Sequence, residues 1–589
     1  LAADPQHGIM VPGRSMPERK KPACPEGRNQ TMKYTDIRNV KTEGELRCRV
    51  IKNFSRLHDR IYRPGAAGVG ECRCAGWPGD WEGRAMLALV LDEETLRTDS
   101  AFLKELIDWI YSLLNDEGYR SEEGDRLNLS DINEQMHSAQ NWLMRAFMEY
   151  CRITGEEKYL DTVKGIIRKL YLPILPHLKN YPCSAADRET ASDRAVIGHT
   201  AGSFREWRLS SDTGCIFMCF DALGQAWEMI TEEPLHTQIG QLISALLDGF
   251  RRMDYVNAGL QTHATLTCMR GVMRIYGITG DRSLLDLAEK FFSDFVNYGM
   301  TVHYANINNF LGAGHTEPCG IVDSFMLANQ LFDATGKRGY LDMANSIWHN
   351  ALMRAQRENG GFGCDMTGRD GILGVFGDFY EAYWCCTMRG AEGLGYPARH
   401  ALACGENTIT LPFYFDFTAT PDAGTEVRVR TGYPHSGDVL FEVLRGGGET
   451  VKLRIYLPEW ATDPLLTVNG KAVTPENDGC FVCTCIKMNA GTRVGLAFPL
   501  PLRAVPCRRF WHENEGRCTL EYGTLVLGTD ADFDGEISLS DLVPDGQGGF
   551  DADYLLSRDE IMKKKTANTV QNQIKPAGKP GRRDMTSRK

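Results

Sequence analysis

The sequence predicts a mainly α chain with a β domain, an (α/α)6 toroid followed by an antiparallel β-sandwich. Three observations predict it. A Thr-Gly phrase recurs through the middle of the chain at intervals that fit helix pairs. The apolar period changes from helical to alternating after Leu411. Residues able to do chemistry fall in the loops at one end of the helical repeats, opposite the Thr-Gly turns.

In chain order, residues 1–40 are rich in Pro, Lys and Arg and read as an N-terminal arm or edge strand. Residues 41–408 carry the helical pattern. Within them Gly76-Trp77-Pro78-Gly79-Asp80-Trp81-Glu82-Gly83-Arg84 is a loop leading into an apolar helix. Trp77 there suits either a sugar platform or packing, because an aromatic face serves both. The repeat follows. Ile153-Thr154-Gly155 returns as Ile278-Thr279-Gly280 and Ala334-Thr335-Gly336, and more weakly as Ile230-Thr231-Glu232. Gly closes a helix in the left-handed conformation and the charged residues after it open the next. The threonines are 77, 48 and 56 residues apart, about one helix hairpin each. Such a stack closes into a toroid with a cavity at one end. The loops at that end carry Glu82, Arg84, Glu134, His137, Asp212, Gln261, His263, Glu317, Cys319, Cys385 and Cys386. Polar groups gathered on one rim fit a carbohydrate site.

Residues 409–530 read as the sandwich. Glu426-Val427-Arg428-Val429-Arg430 and Val451-Lys452-Leu453-Arg454-Ile455 alternate, and Asn469-Gly470 marks a hairpin. Residues 531–589 read as a C-terminal extension ending in a solvated basic tail, with Lys563-Lys564-Lys565 at its centre.

The net charge of −11 and a pI near 5.7 point away from nucleic acid and anionic membrane as partners. No apolar run approaches a membrane span of ~18 residues. Nineteen scattered cysteines, an odd number, suit buried thiols in a reducing, cytoplasmic setting. Leu1 to Pro25 has no basic-then-apolar signal layout. A homodimer through the sandwich is compatible with the chain but not demanded by it.

The sharpest signal is Glu317-Pro318-Cys319 together with Cys385-Cys386, the second pair starting 66 residues after Cys319. One carboxylate and three thiols make four donors, the number zinc takes in a tetrahedral shell. Thiolate selects zinc over magnesium or calcium. Chemistry alone leaves open whether this site is structural, pinning two loops, or holds a nucleophile.

These stretches resemble glycoside hydrolase family 127, the zinc-dependent β-L-arabinofuranosidase family, over about residues 40–530. Glu317-Pro318-Cys319 is similar to its Glu-x-Cys element and Cys385-Cys386 to its Cys-Cys pair. Gln261-Thr262-His263-Ala264 is similar to its Gln-x-His-Ala turn, and His137 to its helix-start histidine. Pro458-Glu459-Trp460 and Val468-Asn469-Gly470 resemble its sandwich strands. The resemblance implies that Glu317, Cys319, Cys385 and Cys386 hold Zn2+. It also implies that Cys385 is the nucleophile of a retaining mechanism and that His137, His263 and Gln261 bind a pentofuranoside of plant glycans.

Three departures stand out. No carboxylate lies between Asp294 and Glu317, where the family places its general acid; His303, Tyr304 and His315 are the titratable groups there. The acid then comes from another loop, with Glu381 first and Asp378, Glu82 and Glu134 behind it, or the step is lost. Tyr383 stands where the family has a third cysteine. Thr387-Met388-Arg389 replaces Pro-Pro-Asn, and Arg389 offers a carboxylate partner to an acidic sugar, unless it pairs within the toroid. His315, beside Glu317, joins the expected substrate-binding set. Three functions follow: a zinc-thiolate exo-glycosidase on β-L-arabinofuranosides, a hydrolase of an acidic pectin sugar, or an inactive carbohydrate-binding member.

Overall fold

Twelve helices alternate between two kinds of sequence, and that alternation builds the toroid. The computed structural model describes residues 32–64, 76–122, 125–189, 200–312, 314–367, 373–375, 380–507, 517–528, 536–544, 550–555 and 570–576. Its long helices are α1 (Gly44–Leu57), α2 (Asp80–Leu96), α3 (Leu103–Ser112), α4 (Glu134–Thr154), α5 (Glu157–Ile166) and α6 (Cys219–Met229). They continue as α7 (Leu235–Arg251), α8 (Thr262–Thr279), α9 (Arg282–Tyr298), α10 (Pro318–Thr335), α11 (Arg338–Ile347) and α12 (Cys386–Arg399).

The inner helices are α2, α4, α6, α8, α10 and α12. Each packs on the next and α12 packs back on α2, so the ring closes. Being surrounded, they are buried almost all round: α2 is buried at nearly every position from Asp80 to Leu96. The outer helices need only one apolar stripe. In α9 that stripe is Leu284, Leu285, Ala288, Phe291, Phe292 and Phe295, the helical spacing of a half-buried element. Close approach in the inner ring needs small residues. A Cβ on Gly83 of α2 would sit 2.2 Å from the backbone nitrogen of Leu143 in α4.

The Thr-Gly phrase closes the inner helices at the end away from the site. Gly155, Gly280 and Gly336 cap α4, α8 and α10 with φ of 73°, 68° and 68°. The preceding threonine works twice. Thr279 Oγ1 donates to Ile275 O (2.9 Å) and accepts from Asp281 N (3.1 Å), and Thr154 and Thr335 do the same. The weak copy at Thr231 lacks the glycine, and α6 instead ends at Ile230 in an extended conformation.

Two sheets form the sandwich. One has seven strands, in the order Val40–Thr42, Phe417–Asp422, Thr425–Thr431, Val439–Arg445, Arg493–Ala497, Leu465–Val468, Lys471–Val473. The other has five, running from Glu476–Asp478 through Phe481–Lys487, Thr450–Tyr456 and Thr408–Leu411 to Ala403–Gly405. The arm supplies an edge strand at its very end, Val40 pairing with Ala419. The sandwich also begins earlier than residue 409, because Ala403–Gly405 pairs with Thr408–Leu411.

The C-terminal extension contributes strands, and one of them, Val570–Pro576, lies within the stretch from about Arg558 expected to be a solvated tail. Glu536–Pro544, Phe550–Leu555 and Val570–Pro576 are strands of a further six-stranded sheet that starts at Leu502–Pro506. Alternation such as Ile537 and Leu539 is present in the sequence, but the Asp- and Gly-rich stretches on either side of it mask it. Residues 1–31 and the run at Lys563 lie outside the described residues.

Candidate metal centre

All four expected ligands sit at the starts of two neighbouring inner helices. Glu317 is the N-cap of α10 and Cys319 its second residue. Cys385 is the N-cap of α12 and Cys386 its first residue. Helix N-termini favour negative charge, so both thiolates and carboxylate gain there. The loop carrying Glu317 is tied down on both sides: Asn306 Oδ1 accepts from Glu317 N (3.0 Å), and Thr316 N donates to Asp365 O (2.8 Å).

The donor atoms of Glu317, Cys319, Cys385 and Cys386 lie within 4.8 Å of one another. Cys386 Sγ is 3.6 Å from Cys319 Sγ and 3.4 Å from Cys385 Sγ. A tetrahedral ion with zinc–sulfur bonds of about 2.3 Å holds its sulfurs about 3.7 Å apart. The donor set and its spacing therefore fit such an ion. Cys319 and Cys386 are buried, while Cys385 is half-buried and is the thiol a ligand can reach.

The cluster is short of positive charge. Burial, then the neighbouring Cys319, pushes the Glu317 carboxyl well above its usual range. Burial works against the Cys319 thiolate too. Hydrogen bonds with Cys385 and Cys386, then the Arg84 charge, outweigh it and draw this thiol well below the ordinary value. Cys385, hydrogen-bonded to Cys319, and Cys386, chiefly by burial, move up instead. One thiolate is thus accommodated among four acids, and a divalent cation is what would let the rest ionise.

Arg84 links this cluster to the toroid core. Its Nη1 lies 3.6 Å from Cys319 Sγ, its Nε donates to Asp80 Oδ1 (2.7 Å), and its Nη2 is 3.5 Å from His263 Nε2. A guanidinium only donates, so that imidazole nitrogen is the acceptor and Nδ1 carries the proton toward Asp323 Oδ2 (2.9 Å). Asp323 also accepts from Arg270 Nη1 (2.6 Å) and from Arg389. The Trp142 ring packs against all three: Arg84 3.9 Å and Arg389 4.5 Å from its centroid, His263 stacked at 5.9 Å.

Several expected site residues are engaged elsewhere. Glu381, the first candidate for the general acid, receives Arg56 Nε (2.9 Å) and Nη2 (2.8 Å), Asn359 Nδ2 (2.7 Å) and Thr387 Oγ1 (2.9 Å). An ion-paired carboxylate with its lone pairs filled is a structural anchor, not a proton donor. Arg389 is 1% exposed and spends its charge on Asp323 and Glu392, so it takes the salt-bridge alternative and not a sugar carboxylate. His137 is 0% exposed, with Nδ1 against Asn133 O (2.8 Å) and Nε2 against Leu170 O (3.3 Å), and offers nothing to a substrate.

The other carboxylates fare likewise. Glu82 accepts from Gly79 N (3.2 Å) and pairs with Arg120 (3.0 Å). Glu134 is fully buried and holds Tyr181 Oη (2.5 Å), Ser210 N (3.0 Å) and Ile216 N (3.2 Å). Asp378 lies outside the described residues.

Gln261 reaches the site through a ligand, its Nε2 lying 3.4 Å from Glu317 Oε2, and His263 reaches it through Arg84. His315 is half-buried on a short strand opposite Met366, two residues before Glu317. Trp77 is half-buried against the toroid core, and its carbonyl accepts Asp80 N (3.1 Å).

Asp80, Trp142, Asp323 and Cys364 were missed. Cys364 is 3% exposed and hydrogen-bonds to Cys386. A lone carboxylate within the apolar run Ile321-Val322-Asp323 was the one local signal among them.

Comparison with known proteins agrees with this architecture. The profile described as the catalytic domain of GH127 beta-L-arabinofuranosidase matches residues 119–397, and the GH127 middle-domain profile matches 408–500. The non-reducing end beta-L-arabinofuranosidase of Bifidobacterium longum subsp. longum is 23% identical over 286 residues, 44% of this chain and 43% of its own length. The match thus spans less than half of that relative. A solved GH127 beta-arabinofuranosidase superposes with a TM-score of 0.68 at 13% identity, over 94% of this chain and 96% of the other. The GH127 beta-L-arabinofuranosidase of Geobacillus stearothermophilus T6 gives 0.63 at 15% identity, over 92% and 97%. At such identities the two structures speak for the fold.

Proposed function

Since this chain belongs to glycoside hydrolase family 127, we propose that it is a retaining, exo-acting glycosidase for β-L-arabinofuranosides or similar pentofuranosides of plant glycans. The observation that carries the reading is the Glu317, Cys319, Cys385 and Cys386 cluster at the toroid mouth. Zinc held by those four residues would keep their sulfurs as thiolates at neutral pH.

Cys385 is the nucleophile in this reading, as the half-buried thiol of the set. Its sulfur attacks the anomeric carbon while the bond from that carbon to the leaving oxygen breaks, giving a thioglycoside on Cys385. Water then attacks the same carbon, the carbon–sulfur bond breaks, the thiolate returns, and the proton shed by that water passes to solvent. Cys319, fully buried and bonded to Arg84, keeps its charge turned inward. His263 holds Arg84 in place, and Gln261 orients the Glu317 carboxylate. Glu381, Glu82 and Glu134 are all engaged, so among the described residues none of the candidate carboxylates is free to protonate the leaving oxygen, which leaves solvent or Asp378 as its proton donor.

That last point favours a second reading, a member that binds carbohydrate without turning it over. The acidic-sugar alternative has lost the support of Arg389, whose charge is already matched.

Hydrolysis of p-nitrophenyl β-L-arabinofuranoside by the metal-analysed protein, beside Cys385→Ser, separates the readings. Nitrophenol release that vanishes in Cys385→Ser, with about one zinc per chain, supports the glycosidase. Zinc and glycan binding without release supports the binding-only member. If solvent supplies the proton, release should also fall steeply as the leaving group becomes more basic, with alkyl arabinofuranosides far behind aryl ones; a shallow dependence would assign the acid to Asp378.

A further inference from the structure

A cavity of about 470 Å3 opens at the seam between toroid and sandwich, away from the metal centre. Its walls come from both domains: Glu45, Leu46 and Arg49 of α1, Trp348 and His349 after α11, and Tyr414 and Tyr433 of the sandwich. None of the four metal ligands lines it. Small-molecule sites favour such domain seams and such volumes.

The floor is aromatic. Tyr414 and Tyr433 meet edge to face at 5.2 Å, His349 lies edge-on to Tyr433 at 5.1 Å, and the buried Trp348 closes the toroid side. Of the charges on the wall, Arg49 is matched and Asp416 is not. Arg49 donates to Glu45 (2.7 Å), to Met353 O (3.0 Å) and to Gln356 Oε1 (3.3 Å), and Asp416 accepts from Thr431 N (3.0 Å). Asp416 has no ion-pair partner among the described residues, so the wall keeps a carboxylate able to accept from a ligand hydroxyl.

His349 is the imidazole of this floor. It is 8% exposed, and among the described residues its ring takes part in no hydrogen bond. Burial, then the charges of His435 and Arg49, lowers its pKa to about 3, so the imidazole is neutral at ordinary pH. A neutral imidazole has one donor and one acceptor nitrogen, and a hydroxyl has the same pair. Beside this imidazole the Tyr414 hydroxyl is buried with no hydrogen-bond partner, which is costly unless a ligand supplies one. A ring with one apolar face and several hydroxyls, able to donate to Asp416 and to pair with His349, answers these features together.

We propose that this seam cavity is a second carbohydrate site, taking one neutral sugar residue with its apolar face on the Trp348 and Tyr433 rings and a hydroxyl on His349. It would hold a glycan to the protein independently of hydrolysis.

Hydrogen–deuterium exchange of the full zinc-loaded chain with L-arabinose or D-galactose tests this without a variant. Protection of the segments around 345–355 and 431–435 is the expected result. Protection confined to the metal centre, or none with either sugar, would overturn the proposal. In equilibrium binding, His349→Phe keeps the ring packing but loses the hydrogen bonds, and should weaken the seam event about tenfold. His349→Asn should restore part of it, and both variants should keep the hydrolytic rate. Equal affinity in wild type and His349→Phe would also sink the idea. Cys385→Ser should keep seam binding intact, so a failure of the glycosidase reading is distinguishable from a failure of this one.

Discussion

Arg84 is the residue on which the metal centre leans most. Four acids are gathered beside one guanidinium, and the loaded site would carry a net charge of −2 from Glu317, three thiolates and a divalent ion. Without the ion the site is largely protonated, so Arg84 is attracted more strongly to the loaded state than to the empty one. Arg84→Met should therefore weaken zinc binding, by roughly 10–100-fold, as read by competition with a chromophoric chelator. An unchanged affinity would mean that the 3.6 Å contact to Cys319 contributes nothing. The four ligands were legible because each pair is contiguous in sequence and its chemistry is unusual. The fates of Glu381, Arg389 and His137 were not, because their partners Arg56, Asp323 and the Leu170 carbonyl are 325, 66 and 33 residues away. A charged or titratable residue at a helix start looks the same in sequence whether it faces a ligand or a distant ion pair.

Among the elements, the inner ring is limited by backbone approach. Gly83→Ala would drive a Cβ to 2.2 Å from Leu143 N and must part α2 from α4. It should cost ~1–3 kcal/mol or more. Gly165→Ala in α5, where a Cβ meets nothing within 4 Å, should instead gain ~0.5–1 kcal/mol through helix propensity. Chemical denaturation of the two variants gives opposite signs if the ring is closed as described. Helix pairs were legible because Thr279 and Gly280 do local work, satisfying helix-end groups in a pattern that repeats. The far end of the chain was not. Strand pairing of Phe550–Leu555 with Val570–Pro576 is non-local, and the intervening basic residues dominate any window average.

At the scale of the whole molecule, two sets of buried carboxylates act on stability in opposite directions. In the toroid core Arg145, Arg270, Arg274 and Arg389 face Glu149, Asp221, Asp323 and Glu392. Burial opposes ionisation of Asp323 and Glu149, but the arginines outweigh it, carrying Asp323 far down and Glu149 to about 2. Their stabilisation is present above the ordinary carboxylate range near pH 4 and is lost as pH falls through those depressed values. The second set ties the other parts to the toroid. Asp333 accepts Tyr34 Oη of the arm (2.7 Å), and Asp342 accepts Tyr456 of the sandwich. Burial raises Asp333 to about 7 and Asp342 to about 6. Here the folded chain holds protons that the unfolded chain has released. That stabilisation is complete below about pH 4 and is lost as pH rises toward 6 and 7. Stability should peak between the two windows, near pH 5, and decline toward pH 8 by roughly 2–4 kcal/mol. Asp333→Asn keeps the hydrogen bond to Tyr34 and removes the proton, so it should flatten the decline between pH 5 and 8 and leave the acid limb unchanged. A melting series across pH for wild type and Asp333→Asn reads this directly. Parallel curves above pH 5 would place the alkaline loss elsewhere than in the carboxyl that anchors the arm.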